Sequence, residues 1–147
     1  MSVTVREAID EINGTLKTAL DANSTTQNIR VDYDDRKPPN ENDGDVSWIR
    51  ATILHNDGGF TDSSLSGDFG QRSFGRNGTI IVQVFTPLKR GTDLNYDIVS
   101  IILSAFEGRR SVGESVWFRN SRFSEKGRDR AWFRIDVKSD FVYDEVK

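Results

Sequence analysis

The chain has 147 residues, 35% hydrophobic and 29% charged, with 12 glycines and a formal net charge of −3. It contains no cysteine and a single histidine, which excludes disulfide staples, thiolate chemistry and any multi-histidine metal centre. No apolar run approaches the roughly 20 residues of a membrane span, so one domain over residues 1–147, with its own core and no membrane partner, is expected.

The opening MSVTVREAIDE lacks the basic and apolar regions of a signal peptide, and synthesis in a cytosol is expected. The N-x-[ST] triplets at Asn13, Asn23 and Asn77 then read as accidental. Thr4 and Glu7 have the spacing of a capping box. Val5, Ile9, Ile12, Leu16 and Leu20 follow at helical steps, predicting a first helix that ends near Asn23. Residues 29–33 alternate as a short strand, and residues 34–45 form a polar loop with two prolines. Val46–His55 returns to strand, with Ile49, Ala51 and Ile53 on one side and Trp48, Arg50, Thr52 and Leu54 on the other. Residues 56–75 are rich in Gly, Ser and Asp and read as a long loop carrying Phe60, Leu65, Phe69 and Phe74. That loop closes at an Asn77-Gly78 turn signal, so the whole connection spans 56–78.

Thr79–Phe85 is a β-branched and aromatic run, the composition of a strand covered on both faces. Thr92 and Gly108 bracket a second helix with Leu94, Ile98, Ile101, Ile102 and Ala105 at helical spacing. Val116–Arg119 reads as a short strand and residues 120–129 as a charged connection. Ala131–Tyr143 alternates almost without fault, with Phe133, Ile135, Val137, Phe141 and Tyr143 on one side. The predicted order is α-β-β-β-α-β-β: an α+β fold with two helices on one face of a mainly antiparallel sheet.

If Ile80, Val82 and Val84 face the helices, then Ile81 and Phe85 face away, with Trp48, Arg50, Trp132 and Arg134 beside them. A face bearing tryptophan, phenylalanine and arginine has the composition of an interface centre. The long loop folding back over it within one subunit is the other reading. The first predicts a subunit or partner contact at Trp48, Arg50, Ile81, Phe85, Trp132 and Arg134, with Phe69, Arg72, Phe74 and Arg76 reaching across from the loop.

Signatures of chemistry are missing. The glycines of residues 67–78 lack the Gly-Lys-[Ser/Thr] ending of a phosphate loop, and no helix follows them. Placing Gly44 at position six of a calcium loop puts Pro39 and Arg50 where carboxylates are required. His55 has no local partner suggesting a triad. No catalytic residue, metal or cofactor is expected. Charge is uneven: residues 1–70 carry 6 basic and 13 acidic side chains, residues 71–147 carry 14 and 10. Arg109, Arg110, Arg119, Arg122, Lys126, Arg128 and Arg130 cluster with Trp117, Phe118 and Phe123, so a nucleic-acid-binding module over 109–130 is an alternative.

The segments Phe74-Gly-Arg-Asn-Gly78, Ile81-Val-Gln-Val-Phe-Thr-Pro87, Lys89–Gly91 and Ala105-Phe-Glu-Gly108 resemble the tail terminator (tail-completion) proteins of lambda-like, long-tailed bacteriophages. So do Trp48–Ile53 and Trp132–Val137. The resemblance implies a subunit of a ring, usually a hexamer, that caps the tail tube and stops its polymerisation. It implies as partners other copies of the chain, the tail-tube protein and a head-completion or connector protein, with DNA passing through the lumen without specific binding. The location implied is the neck end of the virion tail, after assembly in the host cytoplasm. Another head-tail connector or neck protein is the nearest alternative.

Overall fold

The computed structural model describes residues 3–33, 46–56, 63–65, 72–88 and 92–146. Helix α1 spans Val5–Asp21. Its capping box is one-sided: the Glu7 amide donates to the Thr4 hydroxyl at 3.2 Å, and that hydroxyl donates to the Glu7 carboxylate at 3.1 Å. The buried stripe is Ala8, Ile12, Thr15, Leu16 and Leu20, while Val5 is exposed. Beyond the helix, the buried Thr26 hydroxyl donates to the Leu20 carbonyl at 2.6 Å, meeting one of the acceptors a helix leaves free at its end.

Helix α2 spans Asp93–Phe106 and buries Ile98, Val99, Ile102 and Phe106. Thr92 makes no side-chain cap bond, contrary to expectation, and Asp93 alone complements the positive helix end. Gly108 adopts φ +60°, the left-handed turn that glycine takes just past a helix. Asn95 is fully buried within this apolar helix. Its amide donates to the Phe133 carbonyl at 2.9 Å and the Thr86 hydroxyl at 3.1 Å. These bonds pin the first turns of α2 to two adjacent strands.

The strands are β1 (Arg30–Tyr33), β2 (Trp48–His55), β3 (Ser63–Leu65), β4 (Arg72–Pro87), β5 (Val116–Asp129) and β6 (Trp132–Val146). They form one sheet in the order β1-β2-β4-β6-β5, with β3 paired to the start of β4 off that path. Only β1–β2 is parallel. The α+β architecture is as expected, with the three-residue β3 added to the predicted order. Ile49, Ala51, Ile80, Val82, Val84, Ile135, Val137, Phe141 and Tyr143 face α1 and α2 in one core, each large apolar side chain stabilising the fold by about 1.5–3 kcal/mol.

Three expectations fail. Asn77-Gly78 is not a turn but lies inside β4, opposite Val142 and Phe141. A Cβ on Gly78 would collide with the Leu54 carbonyl oxygen and the Phe141 ring, so the glycine is there for close strand approach. Consequently residues 72–78, read as part of a loop, belong to a 16-residue strand. The charged connection at 120–129 is likewise strand: β5 runs 14 residues, with register shifts between Arg119 and Arg122 and between Glu125 and Gly127. Asn120 at φ 54° and Gly127 at φ 79° sit in those bulges.

Candidate functional site

The sheet face away from the helices is set by register. One row across four strands reads Arg30, Trp48, Phe85, Arg134, and the next reads Asp32, Arg50, Gln83, Asp136. Thr52, Ile81 and Lys138 follow. Trp48 and Phe85 stack with ring centres 4.0 Å apart, and Trp132 meets Trp48 edge-on at 5.8 Å. Such pairs contribute about 0.5–1.5 kcal/mol beyond their burial.

All three rings are 4% exposed, which corrects the expectation of a bare aromatic surface. They form a small second core within the subunit. Arg50 lies over Trp48 with its guanidinium carbon 5.2 Å from the ring centre, and the Trp132 indole donates to the Val46 carbonyl at 3.2 Å. Arg134 grips the buried Asp136 carboxylate with two bonds of 2.8 and 2.9 Å. That pairing, against some cost of burial and with help from Asp129, raises the Arg134 pKa and keeps it charged. Asp32 is buried beside Arg30, whose Nε lies 3.1 Å away. The side chains left accessible on this face include Arg50, Ile81, Arg134 and Lys138, all half-buried.

The structure therefore brings six of the expected contact residues onto one face, three of them buried and three half-buried. Phe74 and Arg76 do not join them. They lie in β4, not in a loop, and their even-numbered parity puts them on the helix side beyond the helices. There Arg76 donates to Glu145 at 3.0 Å, and its guanidinium carbon lies 6.0 Å from the centre of the Phe74 ring. Arg72 opens β4, opposite Leu65. Phe69 lies outside the described residues.

His55 belongs to that same helix-side end. Its Nε2 is 2.7 Å from the Tyr143 hydroxyl, and burial together with the nearby Arg76 charge lowers its pKa. Tyr143 is pushed up, chiefly by burial. An open cleft of 480 Å³ at the far end of the outer face is lined by Thr79, Arg119 and Asp140 among others. Its carboxylate is committed: Asp140 accepts from Thr79 at 2.9 Å, Asn120 at 3.1 Å and Arg122 at 3.3 Å. Burial raises the Asp140 pKa, and these donors outweigh it, so the net shift is downward. Among the described residues no three His, Cys, Asp or Glu side chains converge to hold a metal, and no helix is long and apolar enough to cross a membrane.

Four cations of the basic run, Arg119, Arg122, Lys126 and Arg128, lie along β5. Trp117 and Phe123 are 43% and 47% exposed, on opposite faces of that strand. Sequence reading listed these aromatics but placed only the first on a strand.

No family model matches the chain, and no curated protein does. Among solved structures the fold is similar to a chain whose name gives no function, with a TM-score of 0.61 and 17% identity over 91% of this chain and 94% of that one. It is also similar to a chain from the virion of the native gene transfer agent (GTA) particle. There the TM-score is 0.50 and the identity 16%, over 90% of this chain and 97% of that one.

Proposed function

We propose that this chain is a structural subunit of a phage-like virion, forming a ring that closes the end of a tail tube and offers a surface for head joining. The observation that carries the reading is the end-to-end likeness to a chain of the GTA virion, which spans nearly all of both molecules. The segments that resemble tail terminators give the finer assignment, including a hexameric ring at the neck end of the tail. The polar pairs of the outer face are already engaged with one another, which suits a binding surface better than a catalytic one.

In this reading the outer sheet face is the contact with a neighbouring copy or with the tube. Arg50, Ile81 and Arg134 touch the partner, and Trp48, Phe85 and Trp132 hold them at fixed height from below. Changing the half-buried Ile81 to Asp places a charge where apolar area would be desolvated, a cost of several kcal/mol at a contact. Ile81→Asp should leave the subunit folded by circular dichroism while abolishing assembly on tube ends seen by electron microscopy. An Ile81→Asp chain that caps tubes like the wild type would remove the outer face from the contact.

A further inference from the structure

The sheet ends in very different edges. On one side is the four-residue β1; on the other is the 14-residue β5. Residues 109–111 run back along the start of β5, where the Ser111 amide donates to the Val116 carbonyl at 2.8 Å and the Phe118 amide to the Arg109 carbonyl at 3.1 Å. Past Phe118, among the described residues, no strand pairs the outer edge of β5. This open length carries the exposed Arg119, Arg122, Lys126 and Arg128 against two carboxylates, the half-buried Asp129 and the exposed Glu125, which accepts from the Tyr96 hydroxyl of α2 at 2.9 Å. Phe123 stands exposed in the middle of it.

Bulges and cations are the usual means of stopping an edge from recruiting strands at random. Two β5 edges laid together would set cation against cation, which disfavours a two-fold dimer. Guarding the edge does not account for an exposed phenylalanine among the charges, since arginine and an aromatic side by side are what interface centres use. The matching surface is on the same molecule. Helix α2 contains no cation, and Asp93 and Asp97 lie on its exposed side.

We propose that the open edge of β5, centred on Phe123, Lys126 and Arg128, docks on the carboxylate-bearing outer side of α2 in a second copy of the chain. One surface meets a different surface, so the contact is head-to-tail, the kind that closes into a ring rather than a dimer. The inference rests on the self-assembly reading above and names the surfaces it uses.

The test is a charge swap in the full chain, with mass measured by light scattering in the presence of tail-tube protein. Lys126→Glu with Arg128→Glu touches no ion pair among the described residues and should weaken assembly roughly tenfold or more, because like charges then face each other. Adding Asp93→Lys and Asp97→Lys to that chain should restore assembly. Phe123→Ser, which leaves the charges in place, should weaken it as well. Normal assembly of the Lys126→Glu/Arg128→Glu chain would overturn the edge while leaving the ring reading intact, and failure of the swap to restore it would overturn α2 as the receiving surface. A wild-type chain that never assembles would overturn both readings. Salt-dependent binding of duplex DNA, lost in the charge-reversed chain while assembly is unchanged, would assign the edge to nucleic acid instead.

Discussion

His55 is the only histidine in the chain, so its ionisation can be followed without interference. Its Nε2 shares a 2.7 Å hydrogen bond with the Tyr143 hydroxyl, and partial burial and Arg76 both oppose a proton on the ring. The folded pKa therefore lies below the usual 6.5. The stability it contributes is present above pH 6.5 and lost as pH falls from there through the folded value. The imidazole protons should titrate by NMR with a midpoint below 6.5, and a midpoint at or above that value would contradict the placement of the ring. Gly78 shows how a single residue can be read correctly as special and wrongly as to why. Glycine serves both left-handed turns and close approach of backbones. Only the Leu54 carbonyl and the Phe141 ring, distant in sequence, decide between them.

Among the elements, the outer aromatic cluster behaves as core. Trp132 is 4% exposed and tied to Val46 by its indole, so Trp132→Ala should cost about 3–5 kcal/mol in urea unfolding. A cost under about 1 kcal/mol would mean that the cluster waits for a partner to cover it. The two helices and the parity of β2, β4 and β6 were legible because one face of each is buried, and burial writes a period of 3.6 or 2 into the apolar residues. The outer face was legible in register but not in exposure, since a sequence does not say what lies above Trp48, Phe85 and Trp132. Most of β5 was not legible at all. As an edge strand with two bulges it has weak cover and a shifted register, so its apolar residues do not alternate. The start of β4 was hidden by glycines and arginines that pair with β3 and β6 instead of filling a core.

For the whole molecule, topology turns an uneven charge distribution into geometry. The sheet places four exposed cations on the edge strand β5, which no other strand pairs past Phe118 among the described residues, and α2 carries the exposed Asp93 and Asp97. A subunit with unlike surfaces of opposite sign favours contacts between different patches, and such contacts close into rings when the rotation allows. The buried aromatic cluster of Trp48, Phe85 and Trp132 holds the outer face rigid beneath those surfaces. The most direct test is the mass of the 16.6 kDa chain by light scattering, alone and with tail-tube protein, followed with the length of the tubes by electron microscopy. A closed ring of defined copy number on tube ends, with growth halted, is the result predicted here. A chain that stays at 16.6 kDa throughout, beside tubes that lengthen unchecked, would contradict it.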